Sequence, residues 1–425
     1  MSNGSPRVLM LARAVFPLHG FGGIERHVFH LTTHLVRLGV DLTLVVGEPP
    51  EQTTDAEATE QIRVAAELPP TDALRVRQLR YDRTSPLLRP NSIIGRQINY
   101  PIFSLAEARL ARALIRSEAI DIVHAQGLCA WGFGVARKLD RTIRPTPFLA
   151  NPHGMEEYRT PSVLKRLAYA PFRVLYSAGN RAADRAIATD ACTQDDLPRF
   201  LGVDRQKVVV IPSAIDVDEC LNAVNPTLGA ELRQRLGIVD NDPVLMSVGR
   251  LERNKGFHLL VEALAEVCHI LGPRWRWLLV GNGKEEVALQ AQVAALGLQE
   301  HVIFVGKLND QELHSLYEQI DLFIHPTLYE GSSLVTLEAM VHERPVIATA
   351  TGGIPDKVFT GHNGILIPPG DRDALVAAIK TAMEQRDRWP AWGAAGRTIV
   401  ETTFAWPIVA RRTLQEYETL LGKAN

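Results

Sequence analysis

The sequence has few cysteines and no long apolar run, and each shortage excludes a class of protein. Only four of its 425 residues are cysteine; they lie 28 or more positions apart, with no C-x-x-C pair. That spacing excludes a disulfide framework and a clustered zinc site, and is typical of small buried side chains in a reducing compartment. No apolar stretch approaches the ~18–20 residues that cross a bilayer, and Val8–Ala12 is too short for a signal peptide. We therefore expect a cytoplasmic protein that at most touches the inner face of a membrane.

Net charge is also nearly absent, although the two halves of the chain differ. Lys and Arg (46) almost balance Asp and Glu (48), so bulk nucleic acid is not an expected partner. Residues 1–190 hold 24 basic and 18 acidic side chains, whereas residues 191–425 hold 22 and 30. This asymmetry favours two domains with different partners.

Length and hydrophobic patterning predict two α/β domains. Single cores stop growing near ~250–300 residues, which this chain exceeds. Short apolar runs alternate with stretches of helical periodicity, a pattern typical of doubly wound parallel sheets. We place one domain at residues 1–200 and the other at 201–403, with the division between Asp190 and Asp216. The predicted strands are Arg7–Ala12, Leu42–Val46, Ile120–Ala125, Phe148–Asn151, Ala186–Thr189, Val208–Ile211, Val244–Val248, Trp277–Val280, Val302–Val305, Leu322–His325, Val346–Ala348 and Ile365–Ile367.

Ligands of parallel sheets bind beyond the carboxyl ends of the strands, so residues following the predicted strands are the candidate site residues. A glycine-rich loop, residues 20–26, follows the first strand and leads into a helix through Leu38. Glu25 stands where a G-x-G-x-x-G dinucleotide fingerprint needs its third glycine, and Glu286 breaks the pattern that begins at Gly281. Taken alone, both loops are equally typical of a tight strand-to-helix turn.

Two cations follow the strand Val244–Val248. Arg250 and Lys255 lie five positions apart in a loop that opens a predicted helix, Phe257–Leu271. A planar guanidinium and a mobile ammonium can together hold both phosphates of a diphosphate. Solvation of a surface loop is the alternative.

Two glutamates flank the next candidate segment, residues 330–338. If a helix begins near Ser333, Glu330 lies in the loop and Glu338 more than one turn inside the helix, about 10 Å away at ~1.5 Å per residue. That is the span of a nucleotide sugar from hexose to ribose, with helix N-terminal amides facing the diphosphate between them. Capping or surface roles for the glutamates are the alternative. A further loop, Thr351–Asp356, offers two glycines and a proline suited to a first helical position.

One histidine of thirteen is a candidate. His153 follows the strand Phe148–Asn151 and precedes Gly154. Packing or capping is an equally good interpretation, and the other twelve histidines carry no such prediction.

Taken together, these segments resemble the retaining glycosyltransferases of family 4, which have the GT-B fold. The resemblance covers nearly the whole chain. It rests on Gly22-Gly23-Ile24-Glu25-Arg26, His153-Gly154, Val248-Gly249-Arg250 with Lys255-Gly256, Glu330 to Glu338, Gly352-Gly353-Ile354-Pro355 and the tail Phe404-Ala405-Trp406. It implies two Rossmann-like doubly wound parallel-sheet domains facing across a cleft, with a terminal helix over 404–422 that packs back on the first domain. Departures occur at Ser332-Ser333, where the family usually has Gly-Phe or Gly-Tyr, at the interdomain turn Ser213-Ala214, and at Asp356, where Glu is common. The Ser hydroxyls remain able to cap the helix.

The resemblance also implies residue roles. Arg250 and Lys255 match the pair that binds the donor diphosphate and stabilises the leaving nucleotide, and Glu330 matches the glutamate near the transferred sugar. Glu338 matches the residue bonded to ribose, and His153 the first-domain histidine facing the donor sugar. The remaining donor-binding positions are Gly22, Gly23, Ser332, Ser333, Leu334 and Val335.

The function so implied is retaining transfer of a hexose-type sugar from a UDP-, GDP- or ADP-sugar, without a bound metal or other cofactor. The acceptor is a hydroxyl of a glycan, a lipid-linked molecule or a small molecule. A nucleotide-sugar epimerase of the GT-B type and a non-catalytic sugar-nucleotide sensor are the alternatives. Arginine-rich segments at residues 73–116 and 159–185 make an anionic membrane surface a candidate partner, with a solvated helix face as the alternative.

Overall fold

The computed structural model describes residues 5–20, 22–79, 93–153, 158, 170–238 and 243–423. The chain forms two compact units, of which the second is Ser213–Ala405. The first unit runs to Pro212 and is rejoined by the chain from Trp406 onwards.

The first unit contains a seven-stranded parallel sheet in the order β3-β2-β1-β4-β5-β6-β7. The register places Val8 opposite Leu42 on one side and Ile122 on the other, so β1 is central and the strand order reverses between β1 and β4. The strands are β1 Arg7–Leu11, β2 Asp41–Gly47, β3 Leu74–Leu79, β4 Ile122–Gln126, β5 Phe148–Asn151, β6 Arg185–Ala188 and β7 Val208–Val210. The described helices are α1 Gly23–Arg37, α2 Asp55–Ala65, α3 Ile93–Ser117, α4 Cys129–Leu139, α5 Ala170–Arg181 and α6 Ala191–Asp196.

The second unit contains a six-stranded parallel sheet in the order β10-β9-β8-β11-β12-β13. Its strands are β8 Val244–Val248, β9 Arg276–Val280, β10 Val302–Gly306, β11 Leu322–His325, β12 Val346–Thr349 and β13 Gly364–Ile367. Its described helices are α7 Val217–Asn222, α8 Pro226–Arg235, α9 Phe257–Val267, α10 Glu286–Ala295, α11 Asp310–Tyr317, α12 Leu334–Val341, α13 Arg372–Glu384 and α14 Trp389–Ile399. Short 3-10 turns at Arg253–Lys255 and Ile354–Asp356 follow β8 and β12.

Both faces of the second sheet are buried, which explains why its strands are mostly apolar. Leu245 packs in one core cluster and its neighbour Met246 in another, because successive side chains of a strand point to opposite faces. The one polar residue of β8, Ser247, donates to the carbonyl of Ile324 at 2.6 Å and accepts from the indole N–H of Trp277 at 3.1 Å. The predicted fold class, two doubly wound parallel-sheet domains, is confirmed.

One strand escaped prediction from the sequence. β3 has the sequence Leu-Arg-Val-Arg-Gln-Leu, with Leu74 and Val76 buried and the arginines half-buried between them. Its apolar side chains alternate with polar ones because Leu74 and Val76 are buried whereas Arg75 and Arg77, on the other face, are only half-buried. In the sequence this stretch belongs to the arginine-rich segment 73–116.

The first unit extends further along the chain than the division after residue 200 anticipates. β7 lies beyond that point and pairs with β6, with Ala186 opposite Val208. The terminal helix α15, Trp406–Leu420, also belongs to this unit and packs on α1. The indole of Trp406 stacks on the ring of His30 at 5.5 Å and on that of His34 at 6.2 Å.

All four cysteine thiols are free, with Cys129 and Cys220 buried. Within the described ranges, no helix combines the length and the apolar character needed to cross a membrane.

Candidate active site

In the second unit, three side chains meet at the carboxyl ends of β8 and β11. The ammonium of Lys255 donates to Oε2 of Glu330 at 2.6 Å, and Nε2 of His325 donates to the same oxygen at 3.1 Å. The Lys255 and Glu330 side chains are 13% and 16% exposed, and His325 is fully buried. Two predicted residues, Lys255 and Glu330, are therefore in direct contact.

Glycine permits this arrangement of loops. Gly256 has φ +70°, and a Cβ there would lie 2.0 Å from the carbonyl oxygen of Pro326, just after β11. Gly352, with φ +52°, brings the loop after β12 against Glu330, since a Cβ would lie 2.2 Å from the Glu330 carbonyl oxygen. Side chains at either position would separate the loops that carry the charged groups.

The Glu330 carboxylate is held ionised. Burial alone would raise its pKa, but the hydrogen bond from His325 and the charge of Lys255 lower the pKa to about 2. Burial lowers the pKa of His325, so this ring is neutral and donates through Nε2. Its Nδ1 is buried and has no hydrogen-bond partner among the described residues. Glu330 therefore offers a fixed negative charge beside the ammonium of Lys255.

His325 is a site residue that the sequence analysis missed. It is the last residue of β11, and the strand-end argument that selected His153 applies to it equally well. Lys357 is a second omission. Its ammonium is buried and donates to Ser332 Oγ at 3.2 Å and to the Ser333 carbonyl at 3.1 Å, and it lies 5.6 Å from the ring centroid of Phe404.

Helix α12 begins at Leu334, close to the predicted start. The expectation that serine caps it is wrong for Ser333, which has φ +46° and whose hydroxyl bonds to Thr336 Oγ1 at 2.6 Å rather than to a helix N–H. The first-turn amides therefore lack this side-chain cap. Ser332, Leu334 and Val335 lie around this helix start.

Glu338 lies within α12, as predicted, and is half-buried. The hydroxyl of Tyr317 donates to its Oε2 at 3.2 Å and to the Val335 carbonyl at 3.3 Å. Burial raises the pKa of Tyr317, so its hydroxyl remains a donor that holds the carboxylate in place.

Arg250 is not drawn into the Lys255 group. Its side chain is 72% exposed and pairs with Glu252 at 3.2 Å, on the same loop. A cation so exposed is available to an incoming anion.

In the first unit, Gly22 and Gly23 begin α1, and Phe21 of the same loop lies outside the described residues. A Cβ at Gly22 would lie 1.9 Å from Oε2 of Glu25, whose other oxygen accepts from Arg13 at 3.1 Å. The arginine in turn lies 5.1 Å from the ring centroid of Tyr100. A side chain at Gly22 would displace this ion pair.

His153 lies at the end of β5 with φ +60° and is half-buried; Gly154 is outside the described part of the chain. Its Nε2 lies 2.8 Å from Oε1 of Gln126, and its backbone N–H donates to Asn151 Oδ1 at 3.2 Å. Its ring meets that of His27 edge-on at 4.7 Å. Burial lowers the pKa of His153 to about 4, so the ring is neutral at pH 7.

The predicted residues thus form two groups, one in each unit. The second unit holds Arg250, Lys255, Glu330, Ser332, Ser333, Leu334, Val335 and Glu338; the first holds Gly22, Gly23 and His153.

Two family models match successive parts of the chain. A family model described as Glycosyltransferase Family 4 matches residues 21–219, and one described as Glycosyl transferases group 1 matches residues 230–398. The chain is 30% identical to a 2-deoxystreptamine glucosyltransferase of Streptomyces kanamyceticus over 57% of this chain and 62% of that enzyme. It is 26% identical to a glycogen synthase of Mycobacterium tuberculosis over 97% of this chain and 94% of that one.

Among solved structures, an Anabaena protein, HepE in complex with UDP, superimposes with a TM-score of 0.69. The superposition covers 97% of this chain and all of that one at 21% identity. At this level of identity the likeness concerns the fold.

Proposed function

This chain belongs to the glycosyltransferases described as family 4 and group 1, and on that premise we propose that it transfers a hexose-type sugar with retention of anomeric configuration. The donor is a nucleotide-diphosphate sugar, namely a UDP-, GDP- or ADP-sugar. The acceptor is a hydroxyl of a glycan, a lipid-linked molecule or a small molecule. One observation carries the proposal: Lys255 and His325 converge on Glu330, which lies in the loop between β11 and α12.

The charges at this point suit a sugar diphosphate. Lys255, Arg250 and the first-turn amides of α12 supply positive potential for the phosphates. Glu330, ionised and fixed by two donors, accepts hydrogen bonds from hydroxyls of the transferred sugar. Glu338, oriented by Tyr317, does the same for vicinal ribose hydroxyls.

The reaction proceeds by front-face displacement. The bond between the anomeric carbon and the phosphate oxygen breaks, and its electron pair leaves with the diphosphate. The acceptor oxygen bonds to the anomeric carbon on the same face, and its proton passes to the departing phosphate. Lys255 and Arg250 stabilise the charge that develops on the leaving group, a role that a bound metal plays elsewhere. His153, neutral at pH 7, orients a donor-sugar hydroxyl.

The test combines binding with turnover. UDP, GDP and ADP are compared by thermal shift, since a nucleotide that binds only the folded state raises the unfolding temperature. The matching nucleotide sugars are then incubated with acceptor extracts in the presence of EDTA, and the anomeric configuration of the product is read by NMR. Retained configuration and EDTA-insensitive transfer are expected. A product of inverted anomeric configuration would refute the retaining mechanism. Loss of transfer in the presence of EDTA would refute metal independence.

Two further outcomes would replace the proposal. Epimer formed from donor alone, without acceptor, would indicate an epimerase. Tight nucleotide binding without turnover on any acceptor would indicate a sensor.

We also propose that the first unit docks on an anionic membrane surface through one stripe of α3. Ile98, Ile102 and Leu105 lie on this stripe at helical spacing and are 37–51% exposed, and Arg109 continues it as an exposed cation. Exposed apolar side chains beside arginine favour an anionic lipid surface.

Three other described arginines of the segment are engaged within the unit: Arg112 and Arg116 both bond to Asp140, and Arg77 pairs with Glu118. Arg80, Arg83 and Arg89 lie outside the described residues. Of the second arginine-rich segment, 159–169 lies outside the described residues and 170–185 within them. Liposome co-sedimentation is expected to need anionic lipid and to weaken with Ile102→Ser, while Arg116→Ala is without effect. Equal binding to neutral vesicles would refute this docking.

A further inference from the structure

A chain of hydrogen bonds links His153 to the terminal helix within the first unit. From His153 Nε2 the chain passes to Oε1 of Gln126 at 2.8 Å, and from Gln126 Nε2 to Nε2 of His124 at 3.2 Å. It ends where Nδ1 of His124 meets the hydroxyl of Tyr417, on α15, at 2.7 Å. Gln126, His124 and Tyr417 are buried, at 3%, 0% and 0% exposure.

From this chain we infer that Gln126, His124 and Tyr417 are positioning residues that set which ring nitrogen of His153 carries its proton. The inference deepens the proposed function, in which His153 meets the donor sugar. No substrate contact is assigned to the other three residues.

The side-chain amide of Gln126 has one donating and one accepting end. Its Oε1 accepts from His153, so Nε2 of His153 must carry hydrogen. Its NH2 group donates to His124, so Nε2 of His124 must be bare and Nδ1 must carry the hydrogen. The amide therefore forces opposite tautomers on the two rings.

Neutral rings are required for this coupling, because an imidazolium donates at both nitrogens. Burial lowers the pKa of His124 to about 3 and that of His153 to about 4, so each ring holds a single N–H at pH 7.

The orientation of the Gln126 amide sets the direction of the chain, because the phenol hydroxyl of Tyr417 can either donate or accept. In this direction the Tyr417 oxygen accepts the Nδ1 proton of His124, and without that oxygen the buried N–H would lose its partner. His153 is then left with a bare Nδ1, which can accept a hydrogen bond from a sugar hydroxyl. If the direction reversed, Nδ1 would become a donor.

Terminal helix α15 is held in register for this contact by its first residue. Trp406 stacks on His30 and His34 of α1, and its ring meets His27 at 5.1 Å. His27 Nε2 lies 3.4 Å from Asn151 Nδ2, and Oδ1 of that amide accepts from the His153 backbone. Helix α15 is thus connected to His153 by two routes. One runs from Tyr417 through His124 and Gln126, and the other from Trp406 through His27.

The experiment removes the hydroxyl of Tyr417 and observes the tautomers directly. Imidazole 15N shifts of His124 and His153 are recorded at pH 7 in the full chain and in Tyr417→Phe. In the unaltered chain we expect Nδ1–H on His124 and Nε2–H on His153. In Tyr417→Phe we expect both rings to shift toward the opposite tautomer and kcat to fall ~10-fold, with the nucleotide thermal shift unchanged.

Thr413→Val is the matched control. Thr413 is another buried hydroxyl of α15, which donates to the Val409 carbonyl and takes no part in the chain. It should change neither tautomer nor kcat. A second variant, Gln126→Glu, places acceptors at both ends and should move the hydrogen of His124 to Nε2 while leaving His153 as it was.

Unchanged tautomers in Tyr417→Phe, or an unchanged His124 in Gln126→Glu, would overturn the inference even if the chain transfers sugar normally. Shifted tautomers in a protein that transfers no sugar would instead refute the proposed function and leave the hydrogen-bond chain standing.

Discussion

Lys255 and Glu330 share a hydrogen bond of 2.6 Å although 75 positions separate them in the sequence. The ammonium is therefore committed to a carboxylate before any diphosphate arrives. In the proposed function, Lys255 divides its three donors between the carboxylate and the donor phosphates. The contact keeps both charges in place at little exposure to water.

Removing the ammonium should abolish most activity. We expect Lys255→Ala to lower kcat/KM by ~10²-fold or more, as removal of a transition-state charge donor does. Lys380→Ala is the control, because it deletes an ammonium of the same unit that pairs with Glu266. The measurement is the steady-state kcat/KM of both variants, with the nucleotide sugar whose nucleotide gives the thermal shift.

Lys255→Ala also leaves the buried charge of Glu330 without its ammonium partner. The loss of stability in this variant must therefore be separated from its loss of activity. The double variant Lys255→Ala, Glu330→Gln removes both charges and should recover much of the lost unfolding temperature. It should not recover activity. Recovery of both would mean that the ammonium serves only the fold.

Arg250 should matter for catalysis and not for stability. Its side chain is 72% exposed, and an exposed ion pair contributes little to the free energy of unfolding. We expect Arg250→Ala to keep the unfolding temperature and to lower kcat/KM ~10²-fold. Arg205→Ala, an exposed arginine paired with Asp195, should change neither. Near-normal transfer by Arg250→Ala would remove it from the site.

Lys357 should control how the donor sugar is held. Lys357→Met keeps an unbranched side chain but deletes the bonds to Ser332 and to the carbonyl of Ser333, whose φ is +46°. Hydrogen bonds from a charged group are worth ~1.5–3 kcal/mol each, so donor KM should rise ~10-fold or more. Ser332→Ala removes one of the two bonds and should have a smaller effect. Equal donor KM in Lys357→Met and the unaltered enzyme would contradict this role.

Glu107 should make stability depend on pH. It is fully buried on α3, and burial raises its pKa from 4.5 to about 8. The folded protein therefore keeps a proton that the unfolded chain releases above pH 4.5. The free energy of unfolding should fall as pH rises from 4.5 to 8, by up to ~1.4 kcal/mol per unit.

Glu107→Gln is neutral at every pH and should abolish this dependence, leaving the variant more stable than the unaltered chain at pH 8. Thermal unfolding between pH 5 and 9 measures it. Glu118→Gln, which removes a carboxylate paired with Arg77, should keep the slope. A slope that persists in Glu107→Gln would show that another group is responsible.

The sequence predicted most strands because a buried parallel strand is apolar on both faces, as β8 and β11 are. It missed β3 because this strand alternates apolar and charged residues, a pattern shared with charged surface segments. The contact of Lys255 with Glu330 follows from the meeting of strand ends at one edge of a sheet. Lys357 could not be predicted, since a lysine in sequence gives no sign that its ammonium will be buried against Ser332.

The polar chain behind His153 was hidden for a different reason. Gln126 and His124 alternate with apolar residues in β4, and Tyr417 lies near the end of the sequence. Only the return of α15 to the first unit brings them together.

That return fixes an order of events during synthesis. A ribosome that has completed residues 5–212 has made every strand of the first unit but neither Trp406 nor Tyr417. His30, His34 and His124 then face solvent or transient neighbours until the whole second unit has been translated. A nascent chain that has just reached residue 405 would carry a complete second unit and an unfinished first one, and a chaperone or protease would meet His30 and His34 of α1 before Trp406 stacks on them.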